Sequence, residues 1–433
     1  AGPQRRCARA GRPVTTVERR RTRFATSAQA LASRTGSAVR RWPWWAQVSA
    51  VYLAARVASA CIFMAAALHQ GPNPWFPAKP DYWNFINIWD ARWYGEVIAN
   101  GYPTVLPTDA AGNVQENAWA FYPLFPALAG GLSSITGLHP AACLTIIAML
   151  SGWGAALLAY VLFRHCAPHA ASLWGVTFVS TFPVSAILQV PYAESLSLLL
   201  LAAALVLVVR RQYLPAIPVV VLLCLSRPVG VPFALMLGLV LVYRVFERFR
   251  GGVVEAPGDR THSLAGLAAL TGLTAVAGVS ALAWPAAAWA ATGDVEAYTK
   301  TETVWRGHDL VPFKPWFDTG VDLFGPVLGL VAPFVFVALF GAMLFLPPVV
   351  RLGVELRLWC ACYMGYLVAF LHPQTSTFRM LLPLFPLALA AALLSRSRAY
   401  RGTVVVMFLL LQIVWIVWLW AWAQLPGGGD YPP

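Results

Sequence analysis

Long apolar runs separated by short polar breaks make up most of the chain after its first forty residues. Trp44 to Leu68 is the first run. Others follow at 140–163, 170–190, 194–209, 213–226, 229–247, 262–291, 321–348, 355–371, 380–394 and 402–424. Runs of about 17–25 apolar residues read as membrane-crossing helices, because the hydrocarbon core is about 30 Å thick and a helix rises about 1.5 Å per residue. One further segment, Phe121 to Leu138, is apolar but broken by Pro123, Pro126 and Gly130-Gly131, so it either spans or re-enters. Leaving it re-entrant or interfacial predicts an all-α polytopic membrane protein of about eleven transmembrane helices. That count puts Arg164, Arg210-Arg211, Arg244 to Arg260, Arg351 to Arg357 and Arg396 to Arg401 on the same side as the basic N-terminus. This is the cytoplasmic side by the positive-inside rule, and a twelfth span would throw every later cluster outside.

The same topology collects on the extracytoplasmic face the polar residues that charge bias does not explain. A large first loop covers 69–139 and a second covers 292–320, joined there by the breaks at 191–194 and 226–229 and the loop 372–379. The most distinctive stretch is NFINIWDARWYGEVIANGYP, Asn84 to Pro103. At 100° per residue, Ile86, Trp89, Trp93 and Glu96 share one side of a helix, and Asn87, Asp90 and Tyr94 the neighbouring side. Asn100-Gly101 supplies a helix stop, and Pro103 blocks continuation. A helix this aromatic is expected to lie in the membrane interface, where Trp and Tyr have one apolar and one wet end. Asp90 is then either a functional carboxylate at the lipid–water boundary or the solvated acid of an aromatic anchor.

Composition agrees with the pattern. Of 433 residues, 59% are hydrophobic and 11% charged, against about 25% charged in soluble proteins. The net charge of +13 is not a nucleic-acid signal. Eleven Arg lie between Arg5 and Arg41 against the single acid Glu18, which predicts a disordered basic cytoplasmic arm over 1–42 that meets anionic membrane lipids. The arm is too polar for a signal segment. Residues 43–425 are the transmembrane domain and 426–433 a short tail. Arg56, inside the first run, is costly unless paired or facing a cavity. Of seven Cys, five sit in apolar segments, and Cys360 and Cys362 point to different helix faces. Neither a disulfide framework nor a zinc site is indicated. There is no Walker-A loop, no GxGxxG after a strand, no HExxH and no Asp-x-Asp pair, so no cofactor or metal is called for.

Three breaks on the outer face carry ionisable residues. QVPYAESL places Glu194 after Pro191, as a functional group or as an acid favoured by the helix dipole. LSRPVG places Arg227 in an apolar stretch, where it needs a lipid phosphate or Glu194 as partner. HPQTSTFRM places His372 and Arg379 at the start of a run, Arg379 being a snorkelling anchor or a phosphate contact. The acids of 292–320 are read as solvated.

WDARWY with GYP downstream, AFYPLFPAL (Ala120 to Leu128), PYAESLSLLL (Pro191 to Leu200) and LSRPVG stand in an order and spacing that resembles PIG-V-type mannosyltransferases. These are integral-membrane glycosyltransferases of the GT-C fold. The resemblance covers Trp89 to about Gly230, and beyond that only the outer loops and the Arg-Met-Leu-Leu-Pro pattern at Arg379. Ala193 stands where the family usually has Ser, and Tyr122 where it has Phe. The short chain and its Arg/Ala-rich arm point to a bacterial member.

The resemblance implies a GT-C-like bundle with interfacial helices in its first extracytoplasmic loop. It also implies a polyprenyl-phosphate mannose donor and a lipid or glycan acceptor. Asp90 is the implied general base, inverting the anomeric centre. Arg227 and Arg379 are the implied partners of the leaving phosphate, and Glu194, Tyr94, Arg92 and His372 complete the substrate-binding set. No metal or other cofactor is implied. Two alternatives remain open: the same fold with arabinose or glucose on the donor, and a lipid or small-molecule transporter. Transporters commonly carry internal repeats, and WDARWY and PYAESL have no second copy.

Overall fold

The computed structural model describes residues 41–250, 263–304 and 310–424. The expected arm up to residue 40, the second half of the Arg244–Arg260 cluster and the tail after residue 425 lie outside the described residues. Residues 1–47 and 48–433 form separate units. In the first, Trp42, Trp44 and Trp45 are exposed, and the Gln47 amide donates to the Trp42 carbonyl at 2.9 Å where the helix Trp44–Ala67 opens.

Among the described residues the protein is all helical apart from one isolated bridge between Thr108 and Val114. It is a membrane protein: Trp44–Ala67, Pro140–Cys166, Gly230–Arg250, Leu264–Thr292, Lys314–Met343 and Arg398–Trp420 are long and apolar enough to cross a bilayer. A seventh crossing results if Thr375–Leu384 and Pro386–Leu394, bent by 78°, count together. Four more of the predicted runs form shorter helices, His169–Thr181, Glu194–Val209, Tyr213–Cys224 and Val354–Phe370. The eleven runs are therefore all helical, while six or seven reach the length of a crossing. Prolines bound the four shorter helices, Pro183 after the first, Pro191 before the second, Pro228 after the third and Pro373 after the fourth, since proline lacks the backbone donor a helix interior needs. Phe121–Leu138 yields the helix Leu124–Thr136, whose 13 residues span about 20 Å, well short of the hydrocarbon thickness.

Two expectations need correction. The Asp90 stretch is two helices, Tyr82–Ile86 and Asp90–Asn100, so Ile86 and Asn87 do not continue the Asp90 helix. Asn87 turns back, its amide donating to the Trp83 carbonyl at 2.9 Å, and Trp89 takes φ +58°. The aromatic side chains pack inward: Trp89 and Tyr94 are buried, and Trp89 Nε1 donates to the Trp420 carbonyl at 2.8 Å. Phe85, Ile86 and Ile88 are fully buried, so the first loop is rooted in the core. The second correction concerns the run expected from 321. The helix Lys314–Met343 folds back at Gly325 (φ +78°), stacking Trp316 on Phe336 with ring centres 5.2 Å apart.

Arg56 is buried, and its partners are the carbonyls of Ser180 and Ser185 and the Ser185 hydroxyl. It thus binds backbone oxygens left open where the helix His169–Thr181 breaks.

The charged groups fall into two sets one helix length apart. Arg210, at the far end of Glu194–Val209, donates to His165 at 3.1 Å, and Arg244 pairs with Glu355 at 2.5 Å where Val354–Phe370 begins. The opposite ends of those helices hold Glu194 and lead to Arg379. Sixteen residues of helix separate the two sets by about 24 Å.

Candidate active site

Each charged residue of the outer breaks is placed by an interrupted helix. Asp90 and Glu194 are both first residues of their helices, where a negative charge is favoured by the helix dipole. Arg227 lies between Tyr213–Cys224 and Gly230–Arg250, and Arg379 in the turn-like segment Thr375–Leu384. The Leu225 carbonyl, freed beside Arg227, accepts from the Leu124 amide at 3.1 Å, tying the first loop to that break.

These ends converge. Arg227 Nη1 lies 2.7 Å from Glu194 Oε1, and Arg379 Nη1 lies 3.3 Å from the same oxygen. Arg379 Nη1 also donates to Asp90 Oδ2. The four side chains are 5–15% exposed and carry no net charge between them. Isolated charges this buried would be costly, and mutual pairing offsets the lost hydration. Yet Glu194 Oε2 and Arg379 Nε are buried with no hydrogen-bond partner among the described residues. Buried polar atoms are rarely left so, and a bound ligand or water is the usual explanation.

Tyr192 supports the network from below. It is fully buried, its hydroxyl accepts from the Asp90 backbone amide at 3.1 Å, and the Arg379 guanidinium sits over its ring at 5.6 Å. The amide in question is one of the open donors at a helix start, so the hydroxyl fixes that end. Arg379 gains a cation–π contact.

A cavity of about 140 Å³ opens onto Asp90, Arg227 and Arg379, with Tyr94, Tyr122, Tyr363 and Tyr366 among its walls. Burial raises the Tyr94 phenol far above its ordinary range, so it stays neutral, and its ring packs edge-on against Phe121 and Phe125. Tyr122 and Tyr298 hydroxyls meet at 3.1 Å on the far wall. A second, almost wholly apolar cavity of about 430 Å³ lies alongside, lined by Phe178, Phe182, Trp316, Phe340 and Phe385. Leu367 and Leu371 border both.

Of the predicted residues, Asp90, Glu194, Arg227, Arg379 and Tyr94 come together. Two do not: Arg92 is exposed over the Trp75 ring at 5.7 Å, and His372 is half-buried outside the cavity wall. Arg92 is two positions from Asp90, which turns it to the opposite side of the helix. Sequence reasoning missed Tyr363 and Met380. Met380 sulfur lies 3.4 Å from Arg227 Nη2, and Tyr363 donates to the Met380 carbonyl at 2.8 Å. Tyr363 lies in an apolar run that does not distinguish it, and Met380 stands inside the Arg-Met-Leu-Leu-Pro pattern without a signal of its own. In the loop 292–320, Lys300 pairs with Asp294 at 2.7 Å, while 305–309 lie outside the described residues. No group of three or more His, Cys, Asp and Glu suited to a metal occurs among the described residues.

No model of a known protein family matches the sequence, and no curated protein matches it. The structure is similar to solved structures of the Archaeoglobus fulgidus oligosaccharyltransferase. Against its complex with Zn and sulfate, identity is 15% and the TM-score 0.43, over 85% of this chain and 53% of that one. Against the form tethered to an acceptor peptide containing the NVT sequon, the values are 14%, 0.42, 84% and 55%. Against the complex with an inhibitory peptide and a dolichol-phosphate they are 14%, 0.40, 84% and 55%. This chain spans a little over half the length of the solved structures it matches.

Proposed function

We propose that the protein is a membrane glycosyltransferase of the GT-C, PIG-V-like type. It moves a mannosyl residue from a polyprenyl-phosphate donor to a hydroxyl of a lipid or glycan acceptor at the extracytoplasmic face. The observation that carries this reading is the pair of abutting cavities. One is lined by the guanidiniums of Arg227 and Arg379 and the carboxylates of Asp90 and Glu302, the other apolar and of a size for part of an isoprenoid chain. A sugar linked through phosphate to a long hydrocarbon needs both.

The roles follow from chemistry. Arg227 and Arg379 face the cavity and oppose the charge that builds on the departing phosphate, where fixed donors act most strongly. Asp90, on the same wall, accepts the proton of the attacking hydroxyl. Glu194 lies behind the two guanidiniums and holds them. A β-linked donor attacked in line gives an α-mannoside. Arginine partners neutralise a phosphate leaving group directly.

The test is incubation of the purified protein with labelled polyprenyl-phosphate mannose, arabinose or glucose and a membrane lipid extract. Label appearing in a new glycolipid from the mannose donor alone is the expected result. Transfer from another donor would change the sugar and keep the reaction. Transfer from none would remove the reading.

A further inference from the structure

Asp90 and Arg379 are bonded to each other in the very cavity where, on the reading above, each must meet a substrate. We propose that this pair is a latch. Arg379 holds Asp90 until the donor phosphate takes the guanidinium, and only then is the carboxylate free to act as base. The inference rests on the proposed function and adds to it an order of events, donor before acceptor.

The geometry decides which carboxylate yields. Glu194 is 5% exposed, holds both guanidiniums through one oxygen, and lines not the charged cavity but a separate pocket of about 20 Å³ with Arg227 and Arg379. Asp90 is 15% exposed and lines the charged cavity beside Arg227 and Arg379. An anion entering therefore meets both guanidiniums and Asp90 on one side, with Glu194 behind them. Two guanidiniums against two carboxylates leave no positive charge in surplus, so an extra anion must displace a carboxylate or stay unbalanced. Glu302 also lines the cavity, and Asp90 is the carboxylate there that is bonded to Arg379. Arg379 is kept in place meanwhile by the Tyr192 ring and Glu194, and its Nε is a donor without a partner among the described residues.

The steps balance. The phosphate diester, a monoanion, accepts from Arg379, and Asp90 Oδ2 is released toward the cavity. The acceptor oxygen bonds to the anomeric carbon while the bond from that carbon to the phosphate oxygen breaks, its electron pair leaving with the phosphate. The hydroxyl proton passes to Asp90. Phosphate leaves as a dianion between the two guanidiniums, and Asp90 ends neutral. While Arg379 holds Asp90 Oδ2, that oxygen is not open to the acceptor hydroxyl, so the latch keeps the base occupied in the absence of donor.

The test is binding of polyprenyl monophosphate, without sugar, to the purified full chain in nanodiscs. If Asp90 competes for Arg379, Asp90→Asn binds this lipid about fivefold or more tightly than the native protein, a modest coupling between neighbouring sites. Asp90→Ala is measured in parallel, and thermal unfolding is recorded for each variant, so that either folded variant decides the matter. In an Arg379→Gln background the gain must vanish. Equal or weaker binding by the Asp90 variants overturns the latch. So does a gain that persists without Arg379, because Asp90 would then merely repel the anion. A native protein that fails to bind polyprenyl monophosphate overturns the donor reading itself, a result distinct from the other two, and the latch falls with it.

Discussion

Asp90 opens a helix, hands its backbone amide to Tyr192 and its carboxylate to Arg379, and borders the cavity. General-base assistance is typically worth about 10²–10⁴-fold in rate, and an amide of the same shape cannot accept the proton. Asp90→Asn should therefore insert and fold normally yet transfer about 10²-fold less sugar or worse, read as turnover against labelled donor. Asp81 and Asp109 are built for other tasks in the same loop. Asp81 caps Tyr82–Ile86 through the Asn84 amide at 2.8 Å, and Asp109 closes the turn to Asn113. Their amide variants should keep most activity, and near-native turnover in Asp90→Asn would move suspicion to Glu194. Tyr192→Phe keeps the ring under Arg379 and removes only the hydroxyl, a hydrogen bond worth about 1 kcal/mol. Turnover should fall about fivefold with little change in donor KM. Combined with Asp90→Asn it should cost almost nothing further, since the hydroxyl holds the backbone amide of the same residue whose carboxylate the other change removes. Additive losses would mean that the hydroxyl acts elsewhere.

At the scale of elements, the site is assembled from helix ends, and helix ends are what sequence marks best. Pro191 before Glu194, Pro228 after Arg227, and Gly101 (φ +74°) after Asn100 are visible as residues that cannot continue a helix. The four converging charges were legible for that reason, together with their placement on one side of the apolar runs. What was not legible is direction after a break. Spacing gives no sign that the chain reverses at Gly325, or that Trp89 packs inward against Trp420, because both depend on partners distant in sequence, Phe336 and Trp420. The reversal matters to the site, since Trp316 on the folded arm helps wall the apolar cavity and donates to the Leu367 carbonyl at 3.2 Å. It depends on Gly320 and Gly329, which meet back to back. A Cβ on Gly329 would lie 2.3 Å from the Val321 amide nitrogen, a backbone atom that cannot step aside. Gly329→Ala should destabilise the fold by about 1–3 kcal/mol, as is typical of overpacking, seen as a lower melting temperature, and weaken use of long-chain donors. An unchanged melting curve would show that the two helical arms on either side of Gly325 separate freely.

For the membrane domain as a whole, two sets of charge lie a helix length apart, and their sides of the membrane decide where any chemistry takes place. Arg210 with His165 and Arg244 with Glu355 mark one end, while Asp90, Glu194, Arg227 and Arg379 mark the other. Short loops rich in Arg stay on the cytoplasmic side because translocating them across the membrane is unfavourable. On that rule the first set, along with exposed Arg164 and Ser397, is expected in the cytoplasm and the cavity outside. Single cysteines introduced into a background with the native cysteines replaced test this directly. Thr108 and Gln374 are exposed near the cavity end, so Thr108→Cys and Gln374→Cys should react with a membrane-impermeant maleimide added to intact cells. Arg164→Cys and Ser397→Cys should react only after permeabilisation. Because 108, 164, 374 and 397 fall in separate connections, a local distortion at one leaves three others to read. Labelling of 164 or 397 from outside, with 108 and 374 protected, would invert the protein and put the cavity on the cytoplasmic face, where it would meet donors before they are flipped. Labelling of 108 from outside with 374 protected would mean an odd number of crossings between them where the even count is expected, and the short helices between Pro140 and Phe370 would be the ones to recount.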